Sequence, residues 1–327
     1  MSAIKYWLWM STAARLPLRV RSELLTHYGS PENIFNAPEG ELRRLVGDCE
    51  GVDVLEKRDM SAALRIIDSC REQGIDIITL QDALYPDRLK NVYMPPSVLY
   101  VKGKLPSVDD EAAIAVIGTR SASPYGLKMG KKLGFEIAKC GGTVVSLLTK
   151  GIDAAAAEGA LLAEGKCIGV LGVPHEKAKG LLYDELAVRG ALVSELPPGT
   201  ESGKSFFRTR NRIAAGLAVG VVVVEAPVKS GTALFAAEAA EQGKEIFAVP
   251  GNADAVNSVG TNALLKEGAK PVTSGWDVLG EFEKIYHDKL KNEKIKKLAK
   301  KKNIGIFEFQ LEEELFEELI NSPHGVR

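Results

Sequence analysis

The chain has 327 residues, of which 45 % are hydrophobic and 26 % charged, so it is long enough to bury a substantial core and to form two domains. Its net charge of −1 does not by itself indicate a polyanionic partner, and its longest apolar runs are too short to span a bilayer. Four scattered cysteines without a C-x-x-C pair indicate neither a disulfide framework nor a zinc site, and the N-terminus lacks an export signal, so we expect a cytoplasmic protein with reduced thiols.

Residues 1–72 are predicted to form a small helical domain. Gly29, Ser30 and Pro31 follow one another as the C-cap of one helix, the N-cap of the next and its first residue. Strands are then predicted at 74–79 and 98–103. They begin a second domain, which we expect to cover residues 73–280.

Beyond residue 112, apolar runs alternate with amphipathic stretches at the spacing of βαβ units. This pattern predicts an α/β fold with a doubly wound, mostly parallel sheet. The predicted strands are 113–117, 143–146, 167–171, 191–194, 219–224, 245–249 and 270–272, and the predicted helices are 127–139, 153–164, 179–189, 211–217, 233–242, 262–267 and 276–279. Residues 281–327 are predicted to be a charged linker with a short C-terminal helical segment.

The strand at 113–117 ends in Gly118, Thr119 and Arg120, and the next strand is followed by a turn that holds Lys150 just before a helix. The carboxyl ends of parallel strands share one edge of the sheet, where open α/β sheets bind phosphate groups. The turns therefore predict a phosphate-binding edge. The alternative is a pair of tight turns with solvated surface cations.

A cationic cluster occupies the segment predicted to be a loop at 195–212. Arg208, Arg210 and Arg212 alternate along the chain beside Phe207, an arrangement that suits backbone phosphates and base stacking. The alternative is a solvated charged face.

Candidates for catalysis are few. The chain has four histidines, one of them in the predicted sheet domain, and it lacks the H-E-x-x-H, G-x-S-x-G, P-loop and G-x-G-x-x-G motifs. Glu225 and Ser230 lie at strand ends, where helix capping is the default role. The sequence thus predicts a binding protein rather than an enzyme, with no cofactor.

In series, several motifs resemble the bacterial DNA-processing protein A (DprA, or Smf) family over roughly residues 6–280. They are G-T-R-S-A-S-P-Y-G from Gly118, K-G-I-D from Lys150, R-N-R-I-A-A-G-L from Arg210, V-V-E-A-P-V-K-S-G-T from Val223 and G-T-N-A-L-L-K-E-G-A from Gly260. The resemblance implies an extended Rossmann-like fold with a sterile-alpha-motif-like (SAM-like) N-terminal domain. It also implies a homodimer that binds single-stranded DNA, protects it and helps to load the RecA recombinase during natural transformation.

Carried over position by position, the family's phosphate pocket would consist of Gly118, Thr119, Arg120, Ser123, Ser146, Lys150, Gly151, Arg210 and Asn211, to which the cationic cluster adds Phe207, Arg208 and Arg212. Two positions depart from the family pattern: Leu147 replaces a usual glycine and Ala157 a usual histidine. A leucine in a left-handed turn would be strained and would narrow the pocket. The alternative reading is a nucleotide-binding or phosphoribohydrolase-like enzyme of the related lysine-decarboxylase-like group, whose P-G-G-x-G-T-x-x-E motif residues 229–235 match only in part.

Overall fold

The computed structural model describes residues 2–13, 16–49, 51–201 and 203–291. The C-terminal helical segment expected within 281–327 lies outside the described residues from position 292 onward. Among the described helices, none is both long enough and apolar enough to cross a bilayer.

The N-terminal part of the chain is helical, as predicted. Its packed side chains include Trp7 and Trp9, and the same cluster includes Tyr100 of the neighbouring sheet. Ser30 caps a helix through its side chain, which accepts a hydrogen bond from the Asn33 N–H at 3.2 Å. The helices are α1 (Ser2–Thr12), α2 (Leu18–Tyr28), α3 (Pro31–Phe35), α4 (Glu41–Val46), α5 (Val52–Glu56) and α6 (Ser61–Gln73).

Within the described residues, nine strands form one sheet in the order β1-β2-β6-β5-β4-β3-β7-β8-β9. All pairs from β6 across to β9 are parallel, whereas β2 is antiparallel to both β1 and β6. The strands are β1 (Asp76–Thr79), β2 (Val98–Gly103), β3 (Ala113–Ile117), β4 (Thr143–Ser146), β5 (Lys166–Leu171), β6 (Ala191–Ser194), β7 (Gly220–Val223), β8 (Glu245–Ala248) and β9 (Lys270–Pro271).

Both faces of the sheet are covered by helices, so successive residues of a strand enter different cores. Ile114 and Val116 pack on the face covered by α8, α9, α10 and α14, and Ala115 and Ile117 pack on the face of α7, α11 and α12. These helices, with α13, are α7 (Asp87–Lys90), α8 (Pro124–Lys139), α9 (Ile152–Leu162), α10 (Leu181–Arg189), α11 (Lys204–Leu217), α12 (Gly231–Glu241), α13 (Val259–Lys266) and α14 (Gly275–Leu279). The predicted doubly wound, Rossmann-like α/β fold is confirmed.

The start of α11 corrects one prediction. The helix begins at Lys204 rather than at 211, so the arginine cluster lies on a helix and not in a loop. Gly203 occupies the N-cap and supplies no side-chain cap, so the sequence carries no start signal there. On a helix of 3.6 residues per turn, residues 208 and 212 are about one turn apart and share a face, whereas residue 210 lies on the opposite side. The three side chains therefore cannot share one face.

Helices α8 and α9 pack with their backbones in close contact at two glycines. A Cβ at Gly134 would clash with the carbonyl oxygen of Ala156, and one at Gly159 would clash with the carbonyl oxygen of Lys131. This packing fixes the N-termini of the two helices next to each other at the carboxyl edge of the sheet.

Replacing Gly159 with alanine is therefore expected to lower the free energy of unfolding by about 1–3 kcal/mol, because the clash outweighs the helix propensity gained. Gly231→Ala is the control, since nothing lies within 4 Å of a Cβ at that position. The control should stay within about 0.5 kcal/mol of the wild type. Urea unfolding measures both variants, and equal stabilities would contradict the close packing.

Candidate nucleic-acid interface

Two turns meet where β3 and β4 end, and Gly151 allows their contact. Its φ is +88°, and a Cβ there would clash with the carbonyl oxygens of Thr119 and Arg120. Only glycine adopts this conformation and leaves room for the neighbouring turn. The backbones that carry Arg120 and Lys150 are thereby held side by side.

Asp153 joins the same two turns through its buried carboxylate. It accepts hydrogen bonds from the Gly118 N–H at 3.0 Å and from the Thr149 hydroxyl, while its own carbonyl accepts the Ser146 hydroxyl at 2.8 Å. Burial raises the pKa of Asp153 to about 6, although these hydrogen bonds and nearby Arg210 oppose the shift. The hydroxyl of Ser146 is thus buried and hydrogen-bonded within the protein.

The left-handed backbone conformation lies one residue further along the chain than expected. The left-handed residue is Leu148, with a φ of +52°, and not Leu147. The Ser146 hydroxyl accepts the Leu148 N–H at 3.0 Å and the Tyr183 hydroxyl donates to the Leu148 carbonyl at 3.1 Å, which holds that conformation. Leu147 and Ala157 are both buried in the cores, so neither side chain narrows the edge of the sheet.

Arg210 lies beneath this edge and is only 6 % exposed. One of its terminal nitrogens donates to the Leu147 carbonyl at 3.0 Å, while its buried Nε has no hydrogen-bond partner among the described residues. Burial lowers the pKa of Arg210 to about 10, and the nearby Asp153 opposes this shift. The guanidinium remains charged at neutral pH and makes the local potential positive.

Phe207 lies beside Arg210 and is 38 % exposed. The guanidinium carbons of Arg210 and Arg120 lie 5.5 and 5.9 Å from its ring centroid, within cation–π range. The ring also packs against Gly172, where a Cβ would come within 2.8 Å of it. In the described part of the chain, no carboxylate forms an ion pair with Arg120 or Lys150, and both are exposed. We call Arg120, Lys150, Phe207 and Arg210 the basic edge.

The other predicted site residues take different places. Arg208 is exposed and its Nε lies 4.0 Å from Glu238 on α12, and half-buried Asn211 lies beside the same carboxylate. Arg212 donates to both carboxylate oxygens of Glu195, at 2.6 and 2.7 Å. The three arginines therefore do not form the single cluster expected from their alternation.

Two further predicted residues, Thr119 and Ser123, shape the first turn of the site from within. The Thr119 hydroxyl accepts the Ser121 N–H at 3.3 Å, and Ser123 caps α8 by accepting the Gly126 N–H at 3.0 Å. The sequence pattern does not indicate the partner of Arg212 or the glycine that packs on Phe207. Glu195 and Gly172 lie far from these residues along the chain, so no local pattern reveals the contacts.

Comparisons with known proteins agree with this architecture. The relative from Bacillus subtilis (strain 168), DNA processing protein DprA, is 38 % identical over 224 residues, covering 67 % of this chain and 75 % of that protein. The X-ray structure of DprA from Streptococcus pneumoniae matches with a TM-score of 0.72 and 33 % identity, covering 86 % of this chain and 99 % of that one.

A second structure is that of DNA processing protein A from Helicobacter pylori, which is described as giving insight into its unique single-stranded DNA binding mode. It matches with a TM-score of 0.58 and 28 % identity, covering 65 % of this chain and 98 % of that one. The family model described as DNA recombination-mediator protein A matches residues 76–283, which is more than half of the sequence. The chain therefore belongs to the DNA recombination-mediator protein A family.

Proposed function

We propose that this protein binds single-stranded DNA along the basic edge, mainly through backbone phosphates. The observation that carries the proposal is an exposed aromatic ring, Phe207, with the guanidinium carbons of Arg120 and Arg210 at 5.9 and 5.5 Å from its centroid. Positive grooves with stacking rings are the common solution for binding single strands without sequence preference. The single-stranded DNA binding mode described for the Helicobacter pylori protein supports the same proposal.

In this proposal each residue of the basic edge has a separate task. Arg120 and Lys150 are exposed and lack carboxylate partners among the described residues, so they bind phosphates. The exposed face of Phe207 stacks a base. Arg210 is fixed on the Leu147 carbonyl and supplies positive potential beneath the strand.

The wider role that we propose is that of a recombination mediator in natural transformation, and not that of an enzyme. The cytoplasmic protein protects incoming single strands, acts as a homodimer and helps to load RecA. Residues 73–280 would form the DNA-binding unit and residues 1–72 the SAM-like unit. The matched family's description, DNA recombination-mediator protein A, supports this role.

The binding test is fluorescence anisotropy of a labelled oligo-dT, compared with a duplex of equal length. We expect tighter binding to the single strand, falling steeply as salt rises. Equal affinity for both forms, or no binding at low salt, would contradict the proposal.

A separate assay follows RecA filament assembly on oligo-dT. An unchanged rate there would reject RecA loading and leave the DNA-binding result intact.

Phe207→Leu is expected to weaken oligo-dT binding by about tenfold, because a stacked base contributes on the order of 1–3 kcal/mol. The leucine keeps apolar bulk against Gly172 but offers no aromatic face. The salt dependence should not change, since no phosphate contact is lost. Tyr93→Leu is the matched control, because Tyr93 is another exposed ring and lies outside the basic edge. Equal losses in the two variants would exclude stacking on Phe207.

A further inference from the structure

The switch point of the sheet lies between β3 and β7, where the strand order reverses direction. In doubly wound sheets this crevice, with the N-terminus of the first helix, is where a nucleotide phosphate binds. Here that helix is α8, whose N-cap is Ser123. The place is occupied by a side chain of the protein itself, Glu225, which follows β7.

The Glu225 carboxylate is held by donors from two separate segments. One oxygen accepts the Ser123 N–H at 3.0 Å and the Asn257 side-chain amide at 3.2 Å, and the other accepts the Ser123 hydroxyl. Glu225 is only 3 % exposed. A Cβ at Gly126 would clash with the carboxylate, so the group lies directly on the first turn of α8.

These contacts form a complete anion site that already contains its anion. Among the described residues no lysine or arginine forms an ion pair with Glu225, so N–H and O–H donors and the helix dipole stabilise the charge. The same donors would suit a phosphate oxygen. Asn257 also donates to the Ser121 carbonyl at 3.0 Å, which closes the turn over the carboxylate.

We propose that Glu225 is a specificity-determining residue that excludes free nucleotides. Its carboxylate takes the volume and the donors that a nucleotide phosphate would use, and its charge repels a second anion. The basic edge, formed by the turns after β3 and β4 and by α11, stays open to a DNA strand. The exclusion of free nucleotides at the switch point does not require that the protein bind DNA.

The test compares Glu225→Ala with Glu225→Gln, using inorganic pyrophosphate and AMP as probes. Alanine empties the site, whereas glutamine removes the charge but keeps the volume filled. Both variants keep Arg120, Lys150 and Arg210, so any anion binding at the basic edge is common to both. Isothermal titration calorimetry and the melting temperature at constant ionic strength are the readouts.

We expect pyrophosphate to bind Glu225→Ala about tenfold or more tightly than Glu225→Gln, since charge-assisted hydrogen bonds become available to it. Pyrophosphate should raise the melting temperature of the alanine variant by more than those of the wild type and the glutamine variant, in which only the basic edge is open to it. Equal responses of the two variants, or a wild type that binds AMP as tightly as Glu225→Ala, would overturn the proposal. If Glu225→Ala folds poorly, its refolding yield in phosphate against chloride replaces the melting temperature, and an equal yield would again contradict it.

Discussion

Alanine at both Arg120 and Lys150 is expected to weaken oligo-dT binding by about 100-fold, at a free energy of unfolding within about 1 kcal/mol of the wild type. Each side chain is exposed and lacks a carboxylate partner in the described part of the chain, so its removal breaks no internal ion pair. Each substitution would remove one charge-assisted contact with a DNA phosphate, and each lost contact lowers the affinity by roughly tenfold.

The matched control removes two positive charges from the opposite, amino edge of the sheet. Lys104 is exposed and follows β2 beside the start of β6. Lys284 is exposed and follows Phe282, which packs on Gly220 at the start of β7. The Lys104→Ala, Lys284→Ala variant has the same net charge as the first variant. If both double variants lose the same affinity, net charge and not the basic edge attracts the DNA.

Asp153 is expected to make the stability of the protein depend on pH. Burial raises the pKa of this carboxyl to about 6, above that of an exposed aspartate. The folded protein thus keeps the proton at pH values where the unfolded chain has lost it, so its stability falls as pH rises from about 4 to 6. The stabilisation that follows from the raised pKa of Asp153 is fully present below this pH range and is lost above it. Its size is about 3 kcal/mol. Asp153→Asn lacks this titration.

Urea unfolding of the wild type and Asp153→Asn between pH 4 and 7 isolates the effect, because all other titrating groups are shared. The wild type should lose about 3 kcal/mol relative to the variant over this range. Its oligo-dT affinity should also rise at lower pH, because a neutral Asp153 no longer offsets Arg210. The groups around the carboxylate, Gly118 N–H, Thr149 and Arg210, do not titrate in this range. Parallel pH profiles for the two proteins would rule out the assignment to Asp153.

Much of the fold could be predicted because the strands are buried on both faces. The strands β3, β4 and β6 are runs of apolar or β-branched residues, with a final serine in β4 and β6, and their predicted bounds match the observed ones. The start of α11 was not predictable in the same way. Gly203 provides no capping side chain, and the aromatic pair at 206–207 has a weak helix preference.

The candidate site was only partly predictable, for a related reason. Arg120 and Lys150 lie in the turns that follow β3 and β4, so topology alone brings them to one edge. The separation of Arg210 from Arg208 and Arg212 depends on the helix and on Glu195, which is distant in sequence. The left-handed position falls on Leu148 because the Ser146 hydroxyl organises the turn, a tertiary detail that spacing does not encode.

In the proposed function, Arg120 and Lys150 contact phosphates of a bound single strand. The most direct test of these contacts is the slope of log affinity for oligo-dT against log salt concentration, for the wild type and the Arg120→Ala, Lys150→Ala variant. Each phosphate contact on a single strand contributes about −0.7 to this slope. The variant should therefore have a slope shallower by about 1.4. A weaker affinity with an unchanged slope would show that these residues do not bind phosphates.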